Sequence, residues 1–113
     1  MKFPLAAAAM LGLLALAGCA TGDDLAKRDP VFYGSSARNA QDYSDCVVAA
    51  WQGQGGEVAR HPIQDGFRVT SSSSISVEGV LDVITYRGKT EIKMYTRLPE
   101  RGRDLVEAAN LCM

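Results

Sequence analysis

Apolar positions change their spacing several times along this chain, and each change marks an element. Leu5 to Leu16 is an unbroken run of twelve apolar or small residues behind the single charge of Lys2. As a helix it would span roughly 18 Å at 1.5 Å per residue, short of the ~30 Å hydrocarbon core, so an export signal is expected rather than a permanent transmembrane helix. Ala20 to Gln41 then shows no sustained period, mixes small, polar and charged residues, and carries Pro30 and Gly34. That pattern predicts a flexible tether with a root-mean-square reach of roughly 25 Å. Val31-Phe32-Tyr33 interrupts its polarity, either as a docking segment for a partner or the sheet edge, or as a short apolar clip onto the chain's own domain.

From Asp42 onward the periods are regular. Tyr43, Cys46, Val47, Ala50 and Trp51 fall at i, i+3, i+4, i+7 and i+8, one helical stripe that Gly55-Gly56 terminates. The period then drops to two. Glu57 to Gln64 and Phe67 to Ser71 flank Asp65-Gly66, a two-residue type I′ hairpin signal, and Pro62 confines the first of these strands to an edge. Ser71 to Ser74 reads as a solvated connection. A second hairpin runs from Val77 to Tyr86 and from Lys89 to Leu98 around Arg87-Gly88. Its return strand alternates Thr90, Ile92, Met94, Thr96 and Leu98 with Lys89, Glu91, Lys93, Tyr95 and Arg97, so one face points to a core and the other to water. The outgoing strand is apolar on both faces, which suggests a central place. Leu105, Ala108, Ala109 and Cys112 restore helical spacing after the break at Pro99 and Gly102. The expected architecture is α+β: a two-layer sandwich in which a four-stranded antiparallel meander is flanked by an N-terminal and a C-terminal helix, both on one sheet face.

Size and charge narrow the function classes. At 113 residues, with 12 basic against 13 acidic side chains, the chain has room for one small domain. It lacks the basic excess that phosphate contacts with nucleic acid need, so no nucleic-acid partner is expected.

Leu16-Ala17-Gly18-Cys19, directly after the apolar run, resembles the lipobox of bacterial lipoproteins. The resemblance implies that residues 1–18 are a signal peptide and that Cys19 becomes the first residue, thioether-linked to diacylglycerol and acylated on its new amine. Two or three acyl chains make such an attachment effectively permanent. Residues 19–41 are then the lipidated N-terminus and tether, and 42–113 a small periplasmic domain. Ala20, where enteric inner-membrane lipoproteins carry Asp, resembles the pattern of sorting to the outer membrane, periplasmic side.

With Cys19 lipidated, Cys46 and Cys112 are the remaining thiols in an oxidising compartment. Both lie on the apolar stripes of their helices, so a disulfide bridging the two helices is expected; the alternative is two buried free thiols. Closing so long a loop contributes about 4 kcal/mol in the chain-entropy estimate, a large share of a small domain's stability. Helix, meander and Cys-bearing final helix together are similar to small envelope lipoproteins without an assigned activity, over about two-thirds of the chain.

Little in the sequence suggests catalysis. His61 is the single histidine, set beside Pro62, and no cluster at metal-ligand spacing remains once the cysteines are assigned. Gly53-Gln54-Gly55-Gly56 ends a helix instead of following a strand, so it fails as a nucleotide fingerprint. No cofactor, metal or catalytic residue is expected. The candidate partner-binding residues are Arg87, Lys89, Lys93, Tyr95 and Arg97, which with Arg101 and Arg103 form a basic stretch opposed by Glu91 and Glu100. They suit an anionic envelope component or an acidic protein surface; the plainer reading is a charged face that prevents edge-to-edge aggregation. Three functions follow in order: a lipid-anchored structural or interaction module, a periplasmic inhibitor or immunity protein inserting Arg87-Gly88 or Ser71 to Ser76 into a hydrolase, and an enzyme built around His61.

Overall fold

The computed structural model describes residues 24–98, 100 and 102–113. Residues 1–18 and Cys19, on which the export and lipidation readings fall, lie outside the described residues. A helical turn at residues 24–26 precedes β1 (Phe32–Ser36), α1 (Ala40–Gly53), β2 (Glu57–Ile63), β3 (Gly66–Ser72), β4 (Val77–Tyr86), β5 (Lys89–Thr96) and α2 (Arg103–Leu111). The sheet is antiparallel, in the order β1-β5-β4-β3-β2, and both helices pack on one of its faces.

The expected meander is present, with β4 central and the Pro62-bearing β2 at an edge. The strand count is corrected from four to five. Phe32–Ser36 pairs with β5, Phe32 opposite Met94 and Ser36 opposite Thr90, so the second half of the expected tether belongs to the sheet. The apolar Phe32 faces the core and supplies the physical reason. The folded unit therefore begins near Leu25 and not at Asp42, because Leu25 is itself buried.

Local chemistry explains the elements. Asn39 caps α1, its side-chain oxygen accepting the Asp42 N–H at 2.8 Å. Gly55, at φ +87°, then turns the chain out of the helix. The Arg87-Gly88 turn has positive φ at both residues, as a type I′ hairpin requires. The first hairpin differs from expectation. Its two loop residues are Gln64 and Asp65, and Asp65 takes the left-handed conformation at φ +65°. Gly66 instead starts β3, where a Cβ would collide with the Val83 carbonyl, so the glycine serves close strand approach and not the turn.

Tyr43, Val47 and Trp51 of α1 and Leu105, Ala108 and Ala109 of α2 bury against Val69, Leu81, Val83, Ile92 and Met94. Two aromatic tips tie the helices together: the Tyr43 hydroxyl donates to the Ala109 carbonyl at 2.7 Å and Trp51 Nε1 to the Leu105 carbonyl at 3.1 Å. The expected Cys46–Cys112 disulfide joins the same helices, with the Cα atoms 5.8 Å apart.

Candidate functional site

The other face of the sheet carries the candidate residues, and the register places them in rows. Tyr33, Lys93, Asp82, Arg68 and His61 stand side by side across all five strands. In the middle of this row, Arg68 holds Asp82 in a two-pronged pair, Nε to Oδ1 at 2.7 Å and Nη2 to Oδ2 at 3.0 Å. Lys93 lies 5.9 Å over the Tyr33 ring, and Tyr33 is 60% exposed. His61 is exposed on the edge strand beside Arg68.

The expected basic stretch does not gather into one patch. Arg87 and Lys89 sit at the β4–β5 turn, where the Arg87 guanidinium stacks 5.2 Å over the Tyr86 ring. Arg97 follows the far end of β5, its Nε donating to the Val77 carbonyl at 3.4 Å. Eight residue steps along β5 separate Lys89 from Arg97, roughly 27 Å at 3.4 Å per residue, so one small anion cannot span them. Tyr95 departs from the expectation altogether. It is 7% exposed, packed with Val80 beneath Leu25 of the N-terminal turn. Its hydroxyl is pushed above the usual tyrosine pKa, first by burial and then by the nearby Asp82 carboxylate. Tyr95 is therefore a structural residue that holds the N-terminal segment, and Arg87, Lys89, Lys93 and Arg97 remain at the surface.

Two further features shape the surface, a groove with no sequence signal and the Ser71 to Ser76 loop. The first is a groove of about 560 Å³ between β1 and α2, lined by Val31, Phe32, Thr96, Arg103, Val106, Glu107 and Asn110. Arg103, Val106, Glu107 and Asn110 recur at i, i+3, i+4 and i+7, which puts one stripe of α2 along the groove. Thr96 is buried at its base, and its Oγ1 has no hydrogen-bond partner among the described residues. The groove runs beside β1, an edge strand without charge or proline, whereas the opposite edge carries Pro62 and the Arg60–Asp45 ion pair. The second is the loop after β3. Ser73 accepts the Ile75 and Ser76 N–H groups on its hydroxyl, and the Ser73 and Ser76 hydroxyls both reach Glu78 Oε1, at 3.1 and 2.9 Å. This network presents Ile75, 87% exposed, at the tip. A lone apolar residue inside a serine run was the available sequence signal; the groove had none, because β1 and α2 are distant in sequence.

Among the described residues no group of three or more His, Cys, Asp or Glu side chains is arranged to hold a metal ion, and no helix is long and apolar enough to cross a membrane. No protein-family model matches the chain, and no curated protein is similar to it in sequence.

Proposed function

We propose that this chain is a lipid-anchored, non-catalytic interaction module of the bacterial envelope, held through Cys19 on the periplasmic side of the outer membrane. In this reading it binds an extended segment of an envelope protein at the β1–α2 groove. The observation that carries the reading is the β1 edge beside that groove, which no other strand among the described residues pairs with. An edge strand offers unpaired backbone groups to an incoming strand, and a pocket alongside it accepts the alternate side chains. Phe32 and Val106 provide apolar walls, and Arg103, Glu107 and Asn110 line the α2 side with polar groups. The lipobox supports the anchor, and the disulfide fits an oxidising compartment.

Capture from detergent-solubilised envelope tests the proposal, with the lipidated chain as bait and Val106→Asp as the groove variant. The expected result is an envelope protein retained by the parent chain and lost with Val106→Asp. Retention of a hydrolase whose activity falls on binding would replace this reading with the inhibitor. Retention indifferent to Val106→Asp would overturn the groove.

A further inference from the structure

The N-terminal turn, the β3–β4 loop and the end of β5 meet at one pole of the molecule. Leu25 and Ala26 pack on Val77, Val80 and Tyr95. Arg28 donates to the Arg97 carbonyl at 3.1 Å, and the Arg97 N–H continues the ladder to the Glu78 carbonyl. Ile75 stands at the tip of its hydrogen-bonded loop on the same pole, 87% exposed, and Leu98, 48% exposed, follows Arg97. Elsewhere on the chain Val31, Tyr33 and Leu111 are also exposed, and exposed Tyr86 lies at the opposite end of the ten-residue β4.

Only five residues of chain, six Cα–Cα steps, separate Cys19 from the buried Leu25. Fully extended they reach about 20 Å, so a lipid on Cys19 holds this pole close to the headgroups. The far turn at Arg87-Gly88 lies roughly 30 Å beyond it along the ten-residue β4.

Resting on the Cys19 anchor proposed above, we infer that this pole is a membrane-docking surface: Ile75 and Leu98 enter the headgroup layer while Arg28 and Arg97 meet anionic phospholipid phosphates. The chemistry matches that boundary. Isolated apolar tips flanked by guanidinium groups gain from a surface that is apolar below and negative above. Asp24, which pairs with Lys27 at 3.9 Å, and the exposed Asp29 and Glu100 offset part of the positive charge, so the apolar tips and the short leash carry the docking more than net charge does. The loop is preformed, because its serine hydroxyls and Glu78 fix it without a partner. A protein cleft that took Ile75 would have to reach it within the same short distance of the membrane.

The test places a tryptophan reporter at each pole of the mature lipoprotein, Ile75→Trp and Tyr86→Trp, reconstituted in vesicles of phosphatidylethanolamine and phosphatidylglycerol. Trp51 is fully buried and contributes the same background to both. With lipids brominated near the top of the acyl chains, the Ile75→Trp chain is expected to lose reporter fluorescence and emit at shorter wavelength, while Tyr86→Trp stays unquenched. Equal quenching of the two, or none, would overturn the docking pole. The intact mass of the same preparations separates the causes. An acylated Cys19 without selective quenching defeats this inference alone, and an unmodified Cys19 defeats the anchor and the inference together.

Discussion

The two faces of this sheet are closed by different means. The inner face is covered by two helices that a disulfide and two aromatic hydrogen bonds tie together, and its central side chains Leu81, Val83 and Ile92 are fully buried. Among the described residues the outer face is covered at one pole by the single turn bearing Leu25, and beyond it Tyr33, Lys93 and His61 face water around the largely buried Arg68–Asp82 pair. Most of the burial that stabilises the domain therefore lies on the inner face. Substitutions on the inner face should unfold the domain, whereas those on the outer face should change what the surface meets.

The largest effect is expected from the disulfide. Cys112→Ala with Cys46→Ala removes the cross-link and should lower unfolding stability by about 4 kcal/mol, read as a shift of the urea midpoint. Leu81→Ala opens a cavity in the middle of the inner layer and should cost about 3 kcal/mol in the same assay. Leu25→Ala should cost less, about 2 kcal/mol, because it faces a cluster of few residues. Its distinguishing effect is local: protease cleavage before β1 should accelerate while cleavage in α1 does not. An equal loss from Leu25→Ala and Leu81→Ala would break the comparison between the faces.

A smaller effect depends on pH. Burial holds the Tyr43 hydroxyl well above the ordinary tyrosine pKa, so the folded chain keeps a proton that the unfolded chain releases near pH 10. The stabilisation is complete below that pH and is lost as pH rises through and beyond it. Tyr43→Phe should flatten this alkaline decline and lower neutral-pH stability by about 1 kcal/mol through the lost bond to Ala109, both read from unfolding curves at pH 8 and 11. The smallest effect belongs to Lys93→Ala, whose exposed contact with Tyr33 should leave stability within about 0.5 kcal/mol.

Local periodicity made most of the inner layer legible. The stripes of α1 and α2, the alternation of β5 and the two-sided apolar character of β4 each reflect one element's own burial, which a short window of sequence records. The cysteines on the two stripes likewise located their bridge. What escaped depends on contacts distant in sequence. β1 contributes only five residues, Phe-Tyr-Gly-Ser-Ser, and becomes a strand because β5, about sixty residues away, offers an edge. Tyr95 alternates with Lys93 and so reads as solvated, yet Leu25 folds back over it. The groove and the Ile75 pole depend on where these N-terminal pieces settle, which no period reveals. The same misplacement made the tether look 22 residues long, when the chain is fastened from Leu25 onward.

The fastening of the N-terminal segment supports the groove, the docking pole and the short leash alike, and amide hydrogen exchange on the mature chain tests it most directly. Those β1 amides that donate to β5 are expected to exchange slowly, near the rates of their β5 partners, while the β1 amides on the open edge exchange faster, and Leu25→Ala is expected to raise exchange in residues 25–31 first. Exchange throughout residues 25–36 at the rate of an unstructured peptide, with β5 still protected, would contradict it.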